Sequence, residues 1–131
     1  MEKKCTTVAE GILIVEDHAP TTGLLLELLA AAFPDHSLRS AASAEEALEL
    51  CRSRLPALAI IDIRLPKASG IAAAGWIKAL SRKVRVVIHT SHDDEIYREQ
   101  SLAAGADAFV SKARTYSDLA PTLRRLLASR P

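Results

Sequence analysis

An excess of charge of either sign is missing from this sequence: 17 Lys and Arg stand against 16 Asp and Glu. Without a phosphate-seeking field, direct nucleic-acid binding is not expected of this segment. Cysteine is scarce, with Cys5 in the polar N-terminal stretch and Cys51 inside a helical pattern. Neither belongs to a C-x-x-C pair or a ligand cluster, so two reduced thiols are expected rather than a disulfide or a thiolate metal site. Long apolar runs are absent too. No uncharged stretch approaches the ~18 residues a membrane span needs, and residues 1–7 lack the apolar centre of a signal peptide. No membrane association is expected, and the expected location is the cytoplasm. Repeats, low-complexity tracts and internal linkers are also lacking.

What is present is an ordinary globular balance, 49% hydrophobic and 25% charged. The 131 residues suit one domain, which at this size buries roughly two thirds of the surface its unfolded chain exposes. The expectation is a polar tail over residues 1–10 and a single domain over 11–131.

Four short apolar runs read as strands: Ile12–Val15, Leu58–Ile61, Val84–Ile88 and Ala108–Val110. They are continuous rather than alternating, as parallel strands covered on both faces require. Ser37–Ala41 is mixed and suits an edge strand. Helical patterns alternate with these runs. One spans about Pro20–Phe33, stopping before Pro34. A second starts at Ser43 with Glu46 completing a capping box. The others cover about Ile71–Leu80, Asp93–Ala104 with Gly105 as a left-handed cap, and a last helix from Ser117 with Arg124, Arg125 and Arg130 near its negative end.

Five β-α units with right-handed crossovers give an α/β fold, a doubly wound five-stranded parallel sheet between helix layers. The alternation does not itself order the strands. The order 2-1-3-4-5 is preferred because it sets strands one and three side by side at the centre.

Ligands in such sheets collect beyond the carboxyl ends of the strands. Strand one leads into Glu16-Asp17, and strand three delivers Asp62 at its last position. Strand four ends at Thr90-Ser91, and strand five runs into Ser111-Lys112. Three carboxylates at one edge repel, by about 4 kcal/mol per pair at 4 Å and an effective dielectric near 20. A divalent cation removes that penalty, and an all-oxygen site suits Mg²⁺ better than zinc. Asp62 is then placed as a carboxylate nucleophile able to form an acyl phosphate, with Lys112 and Thr90 facing the transferred group. Singly, each residue has a plainer reading as a helix cap, a turn residue or a solvated charge.

The runs Ile12-Leu13-Ile14-Val15-Glu16-Asp17-His18 and Asp62-Ile63-Arg64-Leu65-Pro66, with Gly70, carry a resemblance. So do Val86-Val87-Ile88-His89-Thr90-Ser91 and the stretch from Gly105 through Phe109 to Lys112. Over nearly its whole length the chain resembles a response-regulator receiver domain of two-component signalling. The resemblance implies a flavodoxin-like 2-1-3-4-5 sandwich, so the strand order is not an independent expectation. It implies that Asp62 is the phosphoacceptor and that Asp17 binds Mg²⁺ directly. Glu16 would assist through water, and the Arg64 backbone carbonyl would add a ligand. Thr90 and Lys112 would contact the phosphoryl group, and Phe109 would be the aromatic switch residue, whose plainer reading is a core aromatic. It also implies a histidine kinase or histidine phosphotransfer protein as donor. Output would pass through helix 4, strand 5 and helix 5, to a second copy or a downstream protein. Such a chain is a switch rather than a conventional enzyme.

Some positions depart from the family pattern. Arg64 and His92 stand two residues after Asp62 and Thr90, where the family tunes acyl-phosphate hydrolysis, and both are large. Ala113 follows Lys112 where many relatives carry proline. The pattern is nearest to receivers fused to a helix-turn-helix domain, for which no room remains before Pro131. Alternatives are therefore the receiver part of a DNA-binding regulator lacking its output domain, or an interaction domain that works unphosphorylated. A haloacid-dehalogenase-type phosphatase needs a second acid where Arg64 stands, and a flavodoxin would not place Glu16-Asp17 in its phosphate loop. A metal site of His18, His89 and His92 with Asp17 is not expected, because strand alternation turns His89 away from Thr90. Trp76 is expected to pack peripherally.

Overall fold

The computed structural model describes residues 11–128. Cys5, Arg130 and the whole of the expected N-terminal tail lie outside the described residues. Strands β1 (Ile12–Val15), β2 (Leu38–Ala41), β3 (Leu58–Ile61), β4 (Arg85–Thr90) and β5 (Ala108–Ser111) form one parallel sheet, ordered β2-β1-β3-β4-β5. Every residue of β1 and β3 is buried, which is why their sequences are apolar without alternation. The edge strand β2 is mostly half-exposed and tolerates Arg39 and Ser40.

Two hydrophobic layers flank the sheet. Leu13, Val15, Ile61, Val86 and Ile88 point to one, against α2 (Ala44–Ser53) and α3 (Gly70–Leu80). Ile12, Ile14, Ile60, Val87 and Val110 point to the other, against Leu25 and Leu29 of α1 (Ala19–Ala32) and Leu123 and Leu126 of α5 (Ala120–Ala128). Each fully buried Leu or Ile adds about 1.5–3 kcal/mol relative to exposure.

Local chemistry sets the helix ends. Pro20 sits in the first turn of α1, and the helix stops at Phe33 before Pro34. Ser43 caps α2 by accepting from Glu46 N–H at 3.1 Å, while Glu46 Oε1 accepts from Ala42 N–H, one residue before the cap. The fourth helix, α4 (Glu95–Ala103), is shorter than the Asp93–Ala104 pattern because Asp94 becomes its cap, accepting from Tyr97 N–H. Gly105 follows with φ +110°, the left-handed conformation expected of it.

Three boundaries differ from the sequence reading in ways that matter below. Strand β4 runs two residues beyond the apolar stretch Val84–Ile88, to Thr90, the residue expected at its carboxyl end. Asp62 lies one residue past β3 rather than on its last position. The last helix does not begin at Ser117: a 3₁₀ turn (Lys112–Arg114) and a π-helical turn (Thr115–Leu119) come first. Pro121 has no N–H for an i−4 bond, so regular α-helix starts only where that proline can occupy a first turn.

Candidate functional site

The sheet brings the acidic residues together through its own hydrogen bonds. Glu16 N–H donates to Ala41 O at 2.9 Å, and Asp62 N–H donates to Val15 O at 3.0 Å, continuing the ladders beyond β1 and β3. Adjacent parallel strands thus release their carboxylates at the same level. One carboxylate oxygen from each of Glu16, Asp17 and Asp62 lies within 4.8 Å of the others. Glu16 and Asp62 are buried at 4% and 6% exposure, whereas Asp17 is exposed and marks the open side.

Lys112 enters from the end of β5. Its Nζ is 3.0 Å from Glu16 Oε1 and 3.2 Å from Asp62 Oδ2. Burial pushes the Glu16 carboxyl above its usual range, opposed by the Lys112 hydrogen bond and reinforced by the Asp62 charge. Burial works against the Lys112 ammonium, but the two carboxylates together outweigh it and its pKa is raised. One cation among three carboxylates leaves the pocket acidic. Asp62 Oδ1 is buried and accepts no hydrogen bond, and Asp62 shares its pocket with the hard oxygen donors of Glu16 and Asp17. That donor set fits a hard divalent cation.

Thr90 is fully buried at the end of β4, in register with Ser111, the residue before Lys112. Its Oγ1 accepts from His92 N–H at 3.2 Å, a bond that leaves the hydroxyl proton free to serve another acceptor. Phe109 is half-buried on β5, and the Arg98 guanidinium lies 4.7 Å from its ring centroid. The Arg64 side chain turns across to the β4–α4 loop, where Nη1 is 3.1 Å from His92 Nε2. The histidines stay outside the acidic group: His18 Nδ1 pairs with Thr21 Oγ1 at 2.7 Å, and His89 is buried against Thr115. Trp76 is exposed on α3.

Sequence reasoning did not foresee the direct Glu16–Lys112 ion pair, the Arg64–His92 contact or the Arg98–Phe109 stack. All three are side-chain meetings between different elements, which sequence spacing does not encode. Nor did it give the physical reason for Gly70. A Cβ there would lie 1.9 Å from Asp62 O and 2.9 Å from Ile61 Cγ2, so only glycine lets α3 start against the residue that ends the central strand.

A family model for the response regulator receiver domain matches residues 12–124 of the chain. The chain belongs to the response regulator receiver domain family. It is 34% identical over 118 residues to the transcriptional activator protein ExaE of Pseudomonas putida, covering 90% of this chain and 55% of that one. It is 31% identical over 121 residues to histidine kinase P4 of Formosa agariphila, covering 91% of this chain and 9% of the kinase. Among solved structures, a LuxR-family two-component response regulator from an Aurantimonas species superposes with TM-score 0.86 at 28% identity, covering 93% of this chain and 87% of that one. The response regulator TrrA of Thermotoga maritima, solved in complex with Mg²⁺-BeF, superposes with TM-score 0.80 at 30% identity, covering 89% and 98%. The receiver spans about half the length of the transcriptional regulators it matches. Among the described residues, no helix is long and apolar enough to cross a membrane.

Proposed function

We propose that this receiver is a switch that accepts a phosphoryl group on Asp62. The observation that carries the reading is the unpartnered, buried Asp62 Oδ1 within a cluster of three carboxylates and one ammonium. A carboxylate oxygen of Asp62 attacks phosphorus, an O–P bond forms, and the donor's P–N bond breaks. The electron pair leaves with the imidazole nitrogen of a phosphohistidine on a kinase or phosphotransfer protein. Lys112 sets its charge against the transferring oxygens, and the Thr90 hydroxyl supplies a donor to one of them. Asp17, Asp62 and the Arg64 carbonyl, with Glu16 through water, are the groups that would hold Mg²⁺, which when bound supplies positive charge to the phosphoryl oxygens.

The new anion then biases an existing equilibrium. Thr90 turns toward it, and the Phe109 ring leaves Arg98 for the space Thr90 vacates, changing the surface shared by α4, β5 and α5. Similarity to transcriptional activators, of which this chain spans about half, favours output through transcription over a relay. Incubation with acetyl phosphate and Mg²⁺ should give a single phosphoryl adduct by intact mass, absent in Asp62→Asn. An adduct of equal size in that variant would refute the assignment.

A further inference from the structure

His89 is the one buried histidine among the described residues, at 2% exposure, and the phosphoryl chemistry above makes no use of it. It lies next to Thr90 on β4 but points to the opposite face, the side of Val87 and α5. Its Nε2 is 2.8 Å from Thr115 Oγ1. That hydroxyl is already committed as a donor, because Thr115 Oγ1 lies 2.8 Å from Lys112 O, which can only accept. The hydroxyl oxygen must therefore accept from the ring, so His89 carries its proton on Nε2. The Lys112 carbonyl also accepts from Thr115 N–H. Ring, hydroxyl and backbone thus form one directed chain from β4 to the residue whose ammonium touches Glu16 and Asp62.

The position of this chain makes it more than a satisfied core histidine. Residues 112–119 are a 3₁₀ turn followed by a π turn, so their shape is not fixed by a regular i−4 ladder. The contact from His89 on β4 reaches this segment from outside and bears on where Lys112 leaves the sheet. Its Nζ meets two carboxylates at once, at 3.0 and 3.2 Å, and a displaced backbone sacrifices at least one of them. We propose that His89 and Thr115 are positioning residues that fix the Lys112 turn and so aim its ammonium at Asp62. The proposal rests on the phospho-acceptor reading for its consequence, though not for its geometry.

Two pairs of variants test it. His89→Leu and Thr115→Val remove the chain while keeping volume. His89→Gln and Thr115→Ser keep a donor at the Nε2 position and a hydroxyl. In folded protein, each of the first pair should slow phosphoryl uptake from acetyl phosphate about tenfold, less than the ~100-fold a full ångström of misplacement costs. The double variant should be no slower than the worse single, and His89→Gln and Thr115→Ser should stay within about twofold of the parent. Mn²⁺ affinity, read by EPR, should be unchanged throughout. A second readout needs no donor: a limiting pulse of acetic anhydride, mapped by peptide mass, should modify Lys112 severalfold more in Thr115→Val and His89→Leu. A parent that takes up no phosphoryl group would overturn the function proposed above. Unchanged Lys112 acetylation, or His89→Gln as slow as His89→Leu, would overturn the positioning role. Should His89→Leu fail to fold, Thr115→Val decides.

Discussion

Individual side chains at this site are governed by how much water burial removes from them. His89 shows it most clearly, because burial, helped by the nearby Lys112 charge and opposed by Asp62, depresses its pKa from 6.5 to about 4. As pH falls through 6.5 the unfolded chain takes up this proton first, while the folded ring stays neutral until about pH 4. Stability is therefore lost across that window, by on the order of 3 kcal/mol in total, and is unaffected above it. Urea titrations from pH 7 to pH 4 should show that loss beyond the change seen in His89→Gln, which cannot titrate. Parallel pH profiles for the two proteins would contradict it. The same scale explains what the sequence could and could not disclose. Strand-end positions announced Glu16, Asp17, Asp62, Thr90 and Lys112, since topology alone brings strand ends to one edge. The His89–Thr115 and Arg64–His92 partners depend on rotamers across loops, which no spacing rule encodes.

Elements meet through backbone contacts that few residue types allow. The start of α3 presses on the end of β3, where Gly70 N–H donates to Ile63 O at 2.9 Å and a Cβ would collide with the Asp62 carbonyl. Gly70→Ala should cost about 3 kcal/mol, at the upper end of overpacking, and should displace Asp62. Gly23 is the contrast, inside α1 with nothing within 4 Å of its would-be Cβ. Gly23→Ala should stabilise by about 0.5–1 kcal/mol. Chemical denaturation of the two variants checks both, and equal shifts of the same sign would show that space at these glycines is not what matters. Most elements were legible in advance because continuous apolar runs and caps such as Ser43 carry clear signals. The entry to α5 was not. Leu119 and Leu123 keep helical spacing through a segment that Pro121 prevents from being regular helix, so periodicity alone places the start too early.

Across the whole molecule, an acidic pocket at the sheet edge opposes folding until its charge is matched. Two further carboxylates and one ammonium sit around Asp62, and burial already holds Glu16 above its ordinary range. Mg²⁺ binding to the folded state alone should therefore stabilise it, by about 2.7 kcal/mol at a hundredfold excess over Kd. The gain should shrink as pH falls below the raised Glu16 pKa, because a proton on Glu16 removes negative charge that attracts the cation. Thermal melts with and without Mg²⁺ at pH 7.5 and pH 5 measure this, and Asp17→Asn should reduce the shift at both. A magnesium shift that is the same at both pH values, or that survives Asp17→Asn, would place the ion elsewhere. The most direct measurement concerns the fate of one carboxyl group. After exposure to acetyl phosphate and Mg²⁺, borohydride reduces an acyl phosphate to an alcohol, and peptide sequencing by mass then locates it. Homoserine is expected at position 62 and at no other aspartate. Reduction at position 17, or none anywhere in protein shown to be folded, would contradict it.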